Sequence, residues 1–172
     1  MIEDDDLEYG VVIDSFPKYE ITNFGRVFNR RTGHRLALSP VTPVSHGDLT
    51  VGLVVDGRQY RRSVKVLVAK HFVHGQTEIF NTPVQLDGNR YNLHASNIVW
   101  RPRWFAWKYS RQFIEEAPEF FWSGPIVDVA NDVEYDTIFD AAVATGSLAA
   151  DIRLAIINAD RVFPGWERYH YI

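Results

Sequence analysis

The chain has 172 residues, 46% hydrophobic and 14% aromatic, enough to bury one sizeable core or a few small modules in series. It contains no cysteine, which excludes disulfides and thiolate metal sites. It shows no apolar run of about 18 residues and no basic-apolar-small leader pattern, so a cytoplasmic chain without membrane contact is expected.

The formal net charge of −4 hides an uneven distribution. Residues 1–16 carry six acids and no base, and residues 17–112 carry fifteen Lys/Arg against five acids. Residues 113–172 carry eleven acids against three arginines. A basic middle between acidic ends is the pattern of a phosphate-binding centre, so it points to nucleic acid despite the overall sign.

In chain order, 1–16 reads as an acidic tail. Short β runs follow at 19–21, 26–29, 49–55 and 59–64, separated by turn signals at Asn23-Phe24-Gly25, Thr32-Gly33 and Asp56-Gly57. Asp56-Gly57 between two such runs is a strong hairpin signal. On local grounds β-branching suits a strand over 64–72. Residues 104–113 space their aromatics as an amphipathic helix does. Pro118 and Ser123-Gly124-Pro125 mark a linker over 113–125. A second hairpin is expected from 126–129 and 133–135. A helix from Thr137 to a turn at Gly146 and a second helix over 147–158 complete the reading.

Three segments carry a family resemblance. They are Tyr19-Glu-Ile-Thr-Asn-Phe-Gly-Arg-Val27, Val64-Lys-Val-Leu-Val-Ala-Lys-His-Phe72 and Leu86-Asp-Gly-Asn-Arg-Tyr-Asn-Leu-His-Ala-Ser-Asn-Ile-Val-Trp100. Together they resemble the phage-type HNH homing endonucleases and their nuclease-associated modules. The C-terminal pattern of Ala141-Ala142, Gly146, Ile152 and Gly165-Trp166 resembles the helix-turn-helix module of the same proteins. The resemblance implies an α+β chain: a small nuclease-associated β-rich module (17–55), a ββα-metal, HNH-like core (56–112) and a helix-turn-helix module (126–172). It also implies a helix at 64–72, against the local β-branching.

In that family one divalent ion stabilises charge on the leaving oxygen while a histidine deprotonates a water. The base position falls on Gln85, which takes no proton near neutral pH. Metal-ligand positions fall on Val84 and Ala106, which offer no donor to a hard cation. The family's upstream histidine is replaced by Lys65. Asn97 is retained, and His94 is the candidate for a rescued base. The resemblance therefore implies a nuclease scaffold with degenerate catalytic positions and no cofactor. Mg²⁺ or another divalent cation enters only if the chain is an active nickase.

Basic residues suited to duplex DNA fall in three clusters. The first is Arg26, Arg30, Arg31 and Arg35, and the second is Arg58, Arg61, Arg62 and Lys65. The third, Arg90, Arg101, Arg103, Lys108 and Arg111, is interleaved with Trp104, Trp107 and Tyr109. In the helix-turn-helix the base-reading positions fall on Leu148, Ala149, Ala150 and Asp151, which leaves Arg153 as the one plausible DNA contact there. Such an Ala/Leu face suits a protein partner. The expected function is a catalytically inactive viral DNA-binding protein in the host cytoplasm, with its C-terminal module recruiting a protein. An active HNH nickase or homing endonuclease using His94, and a non-DNA adaptor whose acidic ends engage a phage polymerase or packaging assembly, are the alternatives.

Overall fold

Tight hairpins fix the layout of the first half of the chain, and the computed structural model describes residues 7–41, 48–114 and 124–172. It divides into two compact units, Met1–Arg103 and Trp104–Ile172. The expected HNH-like core of 56–112 spans this boundary. Of the expected linker, 115–123 lie outside the described residues.

In the first unit, β1 (Gly10–Ile13), β2 (Phe16–Thr22) and β3 (Val27–Asn29) form an antiparallel sheet in that order. A second sheet orders β4 (Ser39–Pro40), β5 (Leu49–Val55) and β6 (Arg58–Ser63). Asp56 and Gly57 link β5 to β6 with φ of 50° and 74°. Positive φ at both central residues is what a two-residue hairpin between twisted strands demands. Helix α1 (Val64–Phe72) follows at once, then the two-stranded pair β7 (Phe80–Gln85) and β8 (Ile98–Pro102).

Residues 64–72 are helical, as the resemblance implied and β-branching did not. Ser63 starts the helix, its side chain accepting from the Val66 N–H. Val64, Leu67 and Val68 then share one face at helical spacing and are buried, so tertiary burial outweighs the small propensity cost of valine. They join Ile13, Phe16, Ile21, Val27, Val51, Leu53, Ile98 and Trp100 in a single core. Trp100 also donates its indole N–H to the Val73 carbonyl at 3.0 Å.

Of the acidic tail expected over 1–16, Gly10–Ile13 and Phe16 instead lie in strands. Residues 1–6 lie outside the described ones. Val11 and Val12 pair with Ile21 and Glu20 across the β1–β2 ladder, and Ile13 and Phe16 are core residues. The apolar, β-branched run Val11-Val12-Ile13 decides this, and a charge count passes over it.

In the second unit, helix α2 (Arg103–Arg111) turns Phe105, Ala106 and Tyr109 inward. Strands β9 (Ile126–Asp128), β10 (Val133–Tyr135) and β11 (Tyr169–Tyr171) make a sheet with β9 central. Helix α3 (Ile138–Thr145) is capped by Thr137, whose hydroxyl oxygen accepts from the Asp140 N–H at 3.0 Å. It ends at left-handed Gly146, and α4 (Ala149–Asn158) begins three residues on. Gln112, just beyond α2, holds the intervening turn: it donates to the Ser147 carbonyl and accepts from the Ala149 N–H. Ile126, Ile138, Ala141, Ile152, Val162 and Tyr169 form this unit's core. Among the described residues no helix is long and apolar enough to cross a membrane.

Candidate nucleic-acid interface

The end of β7 and the loop from it to β8 carry Val84, Gln85, His94 and Asn97, and the polar side chains there bind one another. Gln85 donates its amide to the carbonyls of Asn89 and Asn92, both at 2.9 Å. The Asp87 carboxylate accepts from the Asn89 N–H at 2.8 Å, the Asn97 amide at 2.9 Å and the Asn92 amide at 2.7 Å. Asn97 donates again to the Asn92 carbonyl at 3.0 Å and accepts from the Asp87 N–H at 3.1 Å. The Leu86 N–H meets the Asn97 carbonyl at 2.8 Å. The result is a closed clamp in which both Asp87 oxygens already receive N–H donors.

Val84 is buried beside the clamp, and Ala106 is buried in α2. His94 precedes the 3₁₀ turn Ala95–Asn97 and caps it, with Nδ1 2.6 Å from the Ser96 hydroxyl and its ring edge-on to Phe24 at 4.4 Å. It lines a cavity of about 530 Å³ with Tyr9, Asn23, Phe72 and His74. Lys65 pairs with Asp48 at 2.8 Å, and Asp48 also accepts the Ser63 hydroxyl. Among the described residues no three His, Asp or Glu side chains gather as a cation site would need.

The basic clusters fare differently from one another. Arg30, Arg31 and Arg35 are exposed on or beside the β3 turn, while Arg26 pairs with Glu8. Arg26, His34, Arg35 and Tyr91 line a groove of about 690 Å³. Arg58, Arg61 and Arg62 all lie on β6, but strand alternation sends Arg61 to the face opposite Arg58 and Arg62. Arg62 stacks over Phe16 and Tyr60 at 5.4 and 5.3 Å. Arg90 lies 4.8 Å over the Tyr91 ring, and Arg101 donates to the Trp100 carbonyl. Arg103, Lys108 and Arg111 are exposed along α2. At the start of α4, Leu148 and Ala149 are buried, and Arg153 is half-buried.

Sequence reasoning missed the Glu8–Arg26 pair and the part of Asn23, which donates to the Leu7 carbonyl and accepts from the Tyr9 N–H. Residues distant in the chain make these bonds, so no local pattern reports them. It also left Tyr91 out of the groove, although its place beside Arg90 was a signal.

No family model matches the chain, and no curated protein does. Among solved structures it is similar to the HNH homing endonuclease I-HmuI, a protein that binds and cleaves DNA, at 19% identity and a TM-score of 0.54. The match covers 95% of this chain and 98% of that one. The fold is HNH-endonuclease-like. Small antiparallel sheets with four helices among the described residues accord with it. Within the HNH-like fold, the clamp of Gln85, Asp87, Asn92 and Asn97 occupies the loop on which the sequence resemblance placed the catalytic segment.

Proposed function

We propose that the chain is a duplex-DNA-binding protein of phage-type HNH endonuclease descent that has given up cleavage. The observation that carries this reading is the closed clamp. The position assigned to a general base holds Gln85, whose amide is engaged in two donated hydrogen bonds. A glutamine amide does not take up the proton of an attacking water near neutral pH.

The donor set does not fit a divalent cation. Hard cations need several free oxygens. Both Asp87 oxygens are held by N–H groups, and the other two assigned ligand positions are the buried Val84 and Ala106. His94 is no ready substitute base, because its Nδ1 lone pair accepts from the Ser96 N–H, which puts the proton of the neutral ring on Nε2. DNA remains the favoured partner. The fold neighbour binds DNA, and exposed Arg30, Arg31, Arg35 and Arg58 supply phosphate contacts. The helix pair α3–α4 serves as a helix-turn-helix turned toward a protein. Its base-reading positions Leu148 and Ala149 are buried, while Leu154 and Ile157 stand 49% and 65% exposed on α4.

The test is incubation of end-labelled duplex with the protein and Mg²⁺ or Mn²⁺, followed by a denaturing gel. Intact strands are the expected result. A discrete nick or double-strand cut overturns the reading and restores the nickase alternative.

A further inference from the structure

Helix α2 has one face that its own core does not use. Taking about 100° per residue, Phe105, Ala106 and Tyr109 occupy one side, and Trp104, Trp107, Lys108 and Arg111 share an arc of about 100° on the opposite side. The two indoles are 58% and 61% exposed. Each carries a cation over its ring: Lys108 lies 5.7 Å from Trp104 and Arg111 lies 4.6 Å from Trp107. The aromatic surface continues beyond the helix. Trp104 meets Phe163 at 5.7 Å, and Phe163 meets Trp166 at 6.4 Å.

Trp166 is 60% exposed and sits at a φ of 62°. The left-handed region is rarely adopted by bulky side chains and signals a positional demand. The backbone is held there by the Trp166 N–H donating to the Val162 carbonyl at 2.7 Å, which leaves the indole in solvent. Core packing does not explain an indole placed in this way. Trp104 and Trp107 on one face of α2, and Trp166 joined to Trp104 through Phe163, therefore leave more than half of each side chain in solvent.

We propose that the surface formed by Trp104, Trp107 and Trp166 is a stacking platform for unpaired nucleotides of single-stranded DNA. Charge chooses this occupant. α2 carries Arg103, Lys108 and Arg111 and no acid, at the end of the basic stretch 17–112 and just ahead of the acidic residues 113–172. Aromatic rings with adjacent cations are how proteins hold single strands, the ring taking the base and the cation its phosphate. Paired bases have both faces covered by their neighbours, so an open indole gains most from a base that is not stacked in a duplex. The inference goes beyond the duplex-binding reading, because it concerns a different form of nucleic acid and assigns Arg103, Lys108 and Arg111 of the third basic cluster to a single strand instead of a duplex.

The test uses the full chain with a labelled oligothymidylate of about 20 nucleotides, longer than the site of a single stacking fold. Anisotropy measures affinity, and quenching of tryptophan emission reports stacking. Trp107→Ala and Trp166→Ala are each expected to weaken single-strand affinity by about tenfold, the size of one lost base-aromatic stack. Trp107→Phe and Trp166→Phe should restore most of it, and duplex affinity should not change. All four variants alter exposed side chains, and circular dichroism checks that each is folded.

Absence of oligothymidylate binding, or binding that both Ala variants leave intact, overturns the proposal. So does equal loss in the Phe and Ala variants, or a preference of this surface for phosphatidylglycerol vesicles over the oligonucleotide. Duplex binding without single-strand binding would sink this inference and leave the proposed function standing. Single-strand binding alone would do the reverse.

Discussion

Replacing Asn97 by alanine tests whether the β7–β8 loop is held by its own polar side chains. The substitution removes an acceptor for the Asp87 N–H and two donated bonds, one to the Asp87 carboxylate and one to the Asn92 carbonyl. A neutral hydrogen bond contributes about 1 kcal/mol and one to a charged group about 1.5 to 3 kcal/mol, so the gross loss is about 3.5 to 5 kcal/mol. Asn97 is only half-buried, and water can reach part of what the amide leaves behind. The net destabilisation expected is therefore about 2 to 3 kcal/mol. Urea unfolding of wild type and variant, read by near-ultraviolet circular dichroism, measures it through the shift in midpoint at constant slope. A change below about 0.5 kcal/mol would refute the reasoning, since it would mean that the three bonds exchange freely with water.

Other substitutions separate the remaining elements of the account. Gly25 has a φ of 74°, and a Cβ there would lie 2.5 Å from the Leu93 Cβ. Gly25→Ala should cost more than about 2 kcal/mol in the same urea experiment, and a neutral result would contradict the geometry. Burial, with the Glu167 and Asp128 carboxylates adding to it, pushes the Tyr169 phenol above its ordinary value. Its stabilising contribution is then complete below the unfolded value of about 10 and is lost as pH rises from there toward the folded value. Tyr169→Phe should flatten the fall in melting temperature above about pH 10, and an unaltered fall would exclude Tyr169 as its source. Arg35→Ala should weaken binding to duplexes of any sequence alike and reduce the salt slope by about one. A sequence-selective loss would show that Arg35 reads bases instead of phosphate.

Features encoded in a few adjacent residues were the ones the sequence disclosed. Asp56-Gly57 announced its hairpin, because only certain residues accept positive φ on both sides of a two-residue turn. Gly146 announced the end of α3 in the same way. Residues 64–72 were different: local β-branching favoured a strand, and the helix is set by the burial of Val64, Leu67 and Val68 against strands far away in sequence. Strand β1 escaped notice because acids at positions 3–8 dominated the count while Val11-Val12-Ile13 supplied the pairing. The site divides along the same line. Gln85, Val84 and Ala106 could be read as unsuited to nuclease chemistry from residue type alone. The clamp could not, because it depends on Asn92 and Asn97 folding back on Asp87. Nor could the splitting of Arg61 from Arg58 and Arg62, which needs the strand register. The burial of Leu148 and Ala149 reflects the packing of α4 in its own unit.

The most direct test of the central claim is the affinity of the full chain for duplex DNA across a salt series with Mg²⁺ present, with the strands recovered afterwards on a denaturing gel. Intact strands and a log–log salt slope of about −4 or steeper, the signature of four or more phosphate contacts, are expected. Cleaved strands, or no duplex binding even at low salt, would contradict that claim.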